Sequence, residues 1–439
     1  MRVKAFIGWA VIVLLALTPV FLWLYLGPGG VELNDYASMT HSLGELAGLV
    51  GMTLFALTFV LSTRITAIED LFGGLDKVYV AHGILGGTAL ILILSHPIFL
   101  VLKFVPGDLR QAAVYLLPSS HWSVNFGIIA LAGMIFLIYL TLFTKIKYHR
   151  WKFSHEFLGL VFVLAVLHTF LVRGDVSRDN IFTGYYVYAA AVSLVGLGAF
   201  SYSLFLKNRL FKAAEYRIES VVKKSGDAYE VALTAEHKPI RYKSGQFVFL
   251  RFYNEKLSGE AHPFSIASSS DNPTLRVVIK ALGDFTSKIP LLRVGGRVSV
   301  EGPYGRFNYK RDSGLDQVWI AGGIGIAPFI GMAEDLRQGA AGAQGGVHLY
   351  YSVRNNFDLV GIKELQRIER KAGNFKVFPW VSSENGYLTV KNVREKSGPL
   401  RDKEFYLCGP AALKDSLIKQ LMQEGVPKGH IHVEEFDFR

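Results

Sequence analysis

Six apolar runs, at about residues 5–26, 42–61, 78–104, 124–143, 154–172 and 184–206, occupy the first half of this 439-residue chain. Each is close to the ~20 residues that an α-helix needs to cross a ~30 Å hydrocarbon core. A backbone in lipid must satisfy its own polar groups, so this half is expected to form a membrane all-α six-helix bundle. The first run ends in Leu26-Gly27-Pro28 without a small-residue cleavage site, and it is read as a retained helix rather than a leader peptide. After Leu206 no further run qualifies.

Charge orients the runs. Arg2, Lys4, Arg64, Lys77, Lys145, Lys147, Arg150, Lys152, Lys207, Arg209 and Lys212 fall on one side, against Lys103, Arg110, Arg173 and Arg178 on the other. Eleven against four predicts cytoplasmic N- and C-termini. The net charge of +11 is thereby explained by topology, and nucleic-acid binding is set aside. Cys408 is the only cysteine, which excludes an intrachain disulfide and any thiolate cluster. A bound metal must therefore be held by histidine.

His82 and His96 lie in the third run, and His155 and His168 in the fifth. Imidazole inside a bilayer is costly unless paired or ligating. Fourteen residues come within ~40° of a whole number of helical turns and rise ~21 Å, so His82 and His96 share one face at two depths. Thirteen residues rise a similar ~20 Å but turn the side chains ~140° apart, so a bend or bulge is expected between His155 and His168. Both runs lead outward, which pairs His82 with His155 and His96 with His168. One such histidine alone would as readily be a core residue or a proton relay; two depth-matched pairs predict two bis-histidine b-type haems. His41, His121 and His149 sit at run ends or in loops, where a solvated or interfacial role is expected.

From about Ala213 the texture changes to short alternating strands separated by Gly, Pro and Asn turns, as in a small antiparallel β-barrel. From about Gln317 it becomes strand, glycine-rich turn, helix, strand, which reads as an α/β Rossmann-like nucleotide-binding domain. The expected domains are 1–212, membrane haem domain; 213–313, FAD barrel; and 314–439, NAD(P) domain.

The motifs in this second half are Tyr242-Lys243-Ser244-Gly245-Gln246-Phe247, His262-Pro263-Phe264-Ser265-Ile266, Ala281-Leu282-Gly283-Asp284-Phe285-Thr286, Gly302-Pro303-Tyr304-Gly305, Gly322-Gly323-Ile324-Gly325-Ile326-Ala327-Pro328 and Cys408-Gly409-Pro410. In this order they resemble the ferredoxin-NADP reductase superfamily. Behind the histidine pairs, they make the chain resemble the transmembrane ferric reductase and NADPH oxidase family, in its bacterial NADPH-oxidase-like form. The 14 and 13 spacings resemble the oxidase branch. The resemblance implies that His262, Pro263, Phe264 and Ser265 bind FAD, with the Ser265 hydroxyl near the redox-active ring nitrogen. It implies that Gly283 and Thr286 hold the pyrophosphate. Gly322, Gly323, Gly325, Pro328, Cys408, Gly409 and Pro410 would take the nicotinamide dinucleotide, and Arg354 the 2'-phosphate of NADPH in preference to NADH. Cys408 would lie beside the nicotinamide, and Phe436, with Phe438 as second choice, would cover the flavin.

The expected activity is a superoxide-generating NAD(P)H oxidase in a bacterial inner or cell membrane, with dioxygen as acceptor. Animal oxidases of the family carry another histidine four residues after the outer haem histidine of the third helix, where this chain has Leu100. A ferric-chelate reductase with the same cofactors is the enzymatic alternative. A histidine-lined proton conduit with a regulatory nucleotide domain is the alternative from another class, and the flavin motifs count against it. The sequence contains no calcium-binding loop, and no obligatory protein partner is expected.

Overall fold

The computed structural model describes residues 2–26, 35–105, 107–144, 146, 148–172, 184–207, 213–254, 257, 259–309, 314–337 and 345–434. The chain divides into two compact units, Met1–Phe211 and Lys212–Arg439.

In the first unit the principal helices are α1 (Arg2–Leu26), α2 (Tyr36–Ser62), α3 (Thr66–Phe72), α4 (Leu75–Leu102), α5 (Leu109–Tyr115), α6 (Trp122–Phe143), α7 (Tyr148–Glu156), α8 (Leu158–Leu171) and α9 (Gly184–Ser201). Among the described residues, five helices are long and apolar enough to cross a membrane: Tyr36–Ser62, Leu75–Leu102, Trp122–Phe143, Arg150–Leu171 and Tyr186–Leu206. The first run forms α1, whose apolar part Phe6–Leu22 is shorter. Large apolar side chains such as Ile91, Phe136, Leu142 and Leu194 are exposed on this unit, as lipid-facing positions require. The fifth run is interrupted at Phe157, between α7 and α8, which supplies the break that the thirteen-residue histidine spacing demands.

Small residues set the packing. Gly44, Gly48 and Gly51 form a stripe on α2, and a Cβ at each would lie 2.8 Å from Leu100, His96 and Ile93 of α4 respectively. Backbones approach this closely in membranes because lipid supplies no hydrophobic drive between helices, so contact area must come from close packing. Phe55, Phe59, Phe162 and Phe200 close the bundle with ring centres 5.1–5.6 Å apart.

The second unit holds two sheets. Strands β1 (Ala214–Ser225), β2 (Ala228–Ala235), β3 (Phe247–Phe252), β4 (His262–Ser265), β5 (Thr274–Lys280) and β6 (Arg297–Tyr304) form an antiparallel sheet in the order β4-β3-β6-β1-β2-β5. A bridge between Ile266 and Val277 joins the two outer strands. Strands β7 (Gln317–Gly322), β8 (Val347–Val353), β9 (Phe375–Val381), β10 (Glu404–Cys408) and β11 (Ile431–Glu434) form a parallel sheet in the order β11-β10-β7-β8-β9. All six residues of β7 and all five of β10 are buried, as expected of parallel strands covered on both faces.

Helices α10 (Ala327–Arg337) and α11 (Ile362–Glu369) carry the carboxylates that tie the two sheets together. Arg276 of β5 meets Glu334 at 2.6 Å, Glu230 at 3.2 Å and Glu364 at 3.3 Å. Asp335 accepts hydrogen bonds from the Ser244 hydroxyl and the Ser270 N–H. Tyr242, under the same loop, donates to the Ser269 carbonyl at 2.6 Å, and burial pushes its phenol up to about 12.

Candidate functional site

The membrane unit brings its four histidines together in two pairs. The ring centres of His82 and His155 are 6.2 Å apart, and those of His96 and His168 are also 6.2 Å apart. Two imidazole–metal bonds of about 2.0 Å on opposite sides of one ion, each with roughly 1.1 Å from ring nitrogen to ring centre, require about 6.2 Å. Direct hydrogen bonding between the rings would require less.

Each ring is also held from behind. The Nδ1–H of His82 donates to the Thr58 carbonyl at 3.0 Å, that of His96 to the Gly44 carbonyl at 2.7 Å, and that of His168 to the Ser123 carbonyl at 2.8 Å. A carbonyl can only accept, so these partners fix the proton on Nδ1 and leave Nε2 with its lone pair, the tautomer a metal ligand needs. His155 Nδ1 instead faces the Thr141 hydroxyl at 3.2 Å. Gly48 and Gly127 make room for the His96/His168 pair: a Cβ would come within 2.8 Å of His96 Nδ1 at the first and 2.7 Å of His168 Nδ1 at the second. On α4 Gly83 and Gly87 are exposed, and a Cβ at Gly83, Gly86 or Gly87 would meet nothing within 4 Å. The donor set and the two 6.2 Å spacings fit two haems, each held between one histidine pair.

Thr58, Gly44, Ser123, Thr141, Gly48 and Gly127 are the positions that sequence reasoning missed. Three rings use a main-chain carbonyl, which leaves no trace in residue identity; only the glycine stripe on α2 is a signal in the sequence. Leu100 is buried against Gly44, while His41 pairs with Glu45 at 3.4 Å and His121 precedes α6 as its exposed N-cap.

In the second unit the histidine-proline motif is β4 itself. β4 lies at the end of the sheet order, where Pro263, which lacks an N–H, costs no ladder bond on the open side. The His262 ring lies 3.9 Å from that of Phe285, which brings this motif against the Leu282–Thr286 loop. His262 also pairs with Glu260 at 3.3 Å. Ser265 is buried at the end of β4. The Thr286 hydroxyl accepts from the N–H groups of Leu282 at 2.9 Å and Gly283 at 3.0 Å, so these amides are organised by the threonine. The Gly302–Pro303 peptide is cis, and Tyr304 beyond it packs on Phe247 at 6.0 Å. A half-buried aromatic and apolar wall beside one buried serine fits an isoalloxazine.

The parallel sheet reverses its strand order between β7 and β10, and ligands of open α/β sheets bind at the carboxyl ends of the strands at such a point. Gly322 ends β7 and Gly323 follows it, while Cys408 ends β10 and Gly409 follows it. The two turns touch through main chain: a Cβ on Gly325 would sit 2.3 Å from the Cys408 carbonyl, and one on Gly409 would sit 2.8 Å from Gly322 Cα. Gly409 has φ +154°. Pro328 lies in the first turn of α10, and Pro410 precedes the helix Ala411–Gln423. Cys408 is buried. Arg354 is exposed just past β8, its carbonyl accepting from Ser383 N–H at 3.1 Å. Phe436 and Phe438 lie outside the described residues; β11 ends at Glu434, whose carbonyl accepts from the buried Lys414 at 3.0 Å.

Comparison with known proteins gives three family matches. "Ferric reductase like transmembrane component" matches residues 47–166, "FAD-binding domain" residues 213–308 and "Oxidoreductase NAD-binding domain" residues 319–418. The chain is similar to the toluate 1,2-dioxygenase electron transfer component of Pseudomonas putida, 27% identical over 46% of this chain and 61% of that protein. It is also similar to the ferredoxin reductase component of 3-ketosteroid-9-alpha-monooxygenase from Mycolicibacterium smegmatis, 26% identical over 51% of this chain and 65% of that one. The chain thus spans less than two thirds of either relative. Among solved structures, the Amycolatopsis cytochrome P450 reductase GcoB aligns with a TM-score of 0.45 at 24% identity, covering 51% of this chain and 70% of its own.

Proposed function

We propose, from the premise that this chain has the domain architecture of the transmembrane ferric reductase and NADPH oxidase family with a ferredoxin-NADP reductase-like C-terminal module, that it is a transmembrane NAD(P)H oxidase. In this reading electrons from cytoplasmic NADPH cross the membrane to dioxygen on the opposite face, yielding superoxide. The observation that carries it is the pair of 6.2 Å histidine spacings with Nδ1 engaged on every ring.

Residues 1–212 are assigned to a six-helix haem domain, 213–313 to an FAD barrel closed through Ile266 and Val277, and 314–439 to the NAD(P) domain. FAD held by this chain would supply two-electron acceptance with one-electron release, and haems held between the histidine pairs would supply one-electron carriage. His82 with His155, and His96 with His168, would hold the two haems. His262, Pro263, Phe264 and Ser265 would orient the flavin, with Gly283 and Thr286 at its pyrophosphate. Gly322, Gly323, Gly325, Pro328, Cys408, Gly409 and Pro410 would admit the nicotinamide end. Arg354 supplies an exposed guanidinium suited to a 2'-phosphate, and Phe436 would cover the flavin until nicotinamide displaces it.

Leu100 favours the second reading, a ferric-chelate reductase with the same cofactors, because no histidine stands one turn beyond His96. Purified protein with NADPH and FAD separates the two. Cytochrome c reduction abolished by superoxide dismutase supports the oxidase, and turnover that needs a ferric chelate and ignores the dismutase supports the reductase.

A further inference from the structure

The four histidines differ in what holds their Nδ1–H. Three donate to main-chain carbonyls at 2.7–3.0 Å, and His155 alone faces a side-chain hydroxyl, that of Thr141 on the neighbouring helix α6, at 3.2 Å. The Thr141 hydroxyl donates its own proton to the Leu137 carbonyl one turn back, at 2.9 Å. Its lone pair is therefore what His155 meets, so the His155 proton sits on Nδ1 and Nε2 is free. Trp151 stacks on the same ring at 5.3 Å and 25°, so the imidazole is confined by a face and by one nitrogen.

Resting on the reading of His155 as a haem ligand, we propose that Thr141 is a positioning residue that sets the donor strength of His155 and hence the reduction potential of the haem shared with His82. An N–H that donates to an acceptor makes the imidazole a stronger donor at its other nitrogen, and the outer partner of a ligating histidine tunes potential as well as affinity. A hydroxyl oxygen is a weaker acceptor than an amide carbonyl, and this one is farther away, at 3.2 Å against 2.7–3.0 Å. His155 is thus the weakest donor of the four. It is also the one whose outer partner can be replaced by mutation, since the other three use main chain.

The test is redox titration of the full-length, haem-loaded protein in lipid nanodiscs, with haem counted per chain. Thr141→Val retains shape and removes the acceptor. One of the two midpoint potentials should move positive, because a weaker axial donor disfavours the oxidised iron; the other should stay in place, and Thr141→Ser should match the parent. Loss of one haem in Thr141→Val with both retained in Thr141→Ser also supports the proposal. If Thr141→Val does not assemble, Thr141→Ala serves, with the same positive shift expected. Two bound haems with both midpoints unmoved in the hydroxyl-free variant overturn it, as does Thr141→Ser behaving like Thr141→Val. His155→Ala separates this from the underlying reading: if that variant keeps two haems with parental spectra, His155 is no ligand and the premise has failed rather than the tuning.

Discussion

Gly127→Ala is the sharpest test of the His96/His168 pair, because it leaves every proposed ligand in place. The added Cβ would lie 2.7 Å from Nδ1, 2.8 Å from Cε1 and 3.0 Å from Cγ of His168. Ordinary contact is about 3.5 Å, so the ring must retreat by roughly 0.5–0.8 Å. Turning about χ2 cannot relieve a clash that includes Cγ, the atom of attachment. Retreat would stretch the 2.8 Å bond to the Ser123 carbonyl to about 3.5 Å, outside hydrogen-bonding range. Loss of an outer partner costs about 10–100-fold in metal affinity, or about 1.4–2.7 kcal/mol. Alanine is the better helix former by about 1 kcal/mol, so α6 itself should not unfold. On the proposed haem reading, a haem bound between His96 and His168 should therefore pass to apomyoglobin about 10–100-fold more readily, with one bound between His82 and His155 unaffected. Gly198→Ala, whose Cβ meets nothing within 4 Å, is the matched control. Parental haem retention and spectra in Gly127→Ala would show that His168 is not held as a ligand at this site.

His82→Ala and His155→Ala should each remove the same single haem, since the two rings face one another at 6.2 Å; spectroscopic counting of two haems in either variant refutes the pairing. Phe436→Ser should tighten nicotinamide binding and trap a nucleotide–flavin complex, because an aromatic stacked on the flavin contributes about 1–3 kcal/mol that nicotinamide must displace. Stopped-flow flavin reduction checks this, and an effect confined to Phe438→Ser would move the gate to that residue. Asp316 bonds Lys403 at 2.7 Å and the Gly346 N–H at 2.8 Å, which hold its carboxyl below the usual value of 3.8. With a lowered folded-state pKa, the stabilisation is present above the unfolded value and is lost as pH falls through the folded one. Asp316 is half-exposed, so Asp316→Asn should cost under about 1 kcal/mol at pH 7. Thermal unfolding should show that difference closing below about pH 4, and an equal loss at both pH values counts against the carboxylate.

Much of the architecture was legible from pattern alone, because the constraints behind it are local. Five of the apolar runs are long enough to span, since length and hydropathy follow directly from bilayer thickness. The helical period placed His82 and His96 on one face, and the thirteen-residue spacing required the break that lies at Phe157. In the second unit the Gly322-Gly323 and Cys408-Gly409 turns were recognisable as motifs before their strands were seen to be neighbours. What only the tertiary structure decided is what stands behind the ligands and where distant turns meet. That Gly48 faces His96, that Gly127 faces His168, and that Thr141 meets His155 depend on helix rotation and crossing, which are fixed by packing summed over whole interfaces. The carbonyls of Thr58, Gly44 and Ser123 are common to every residue type, so residue identity cannot mark them. The abutment of Gly325 on Cys408 likewise depends on β7 and β10 being neighbours, which sets Ala321 opposite Cys408 although β8 and β9 come between them in the chain. Parallel strands can pair only through such crossovers, so the contact is non-local and no short stretch of sequence contains it.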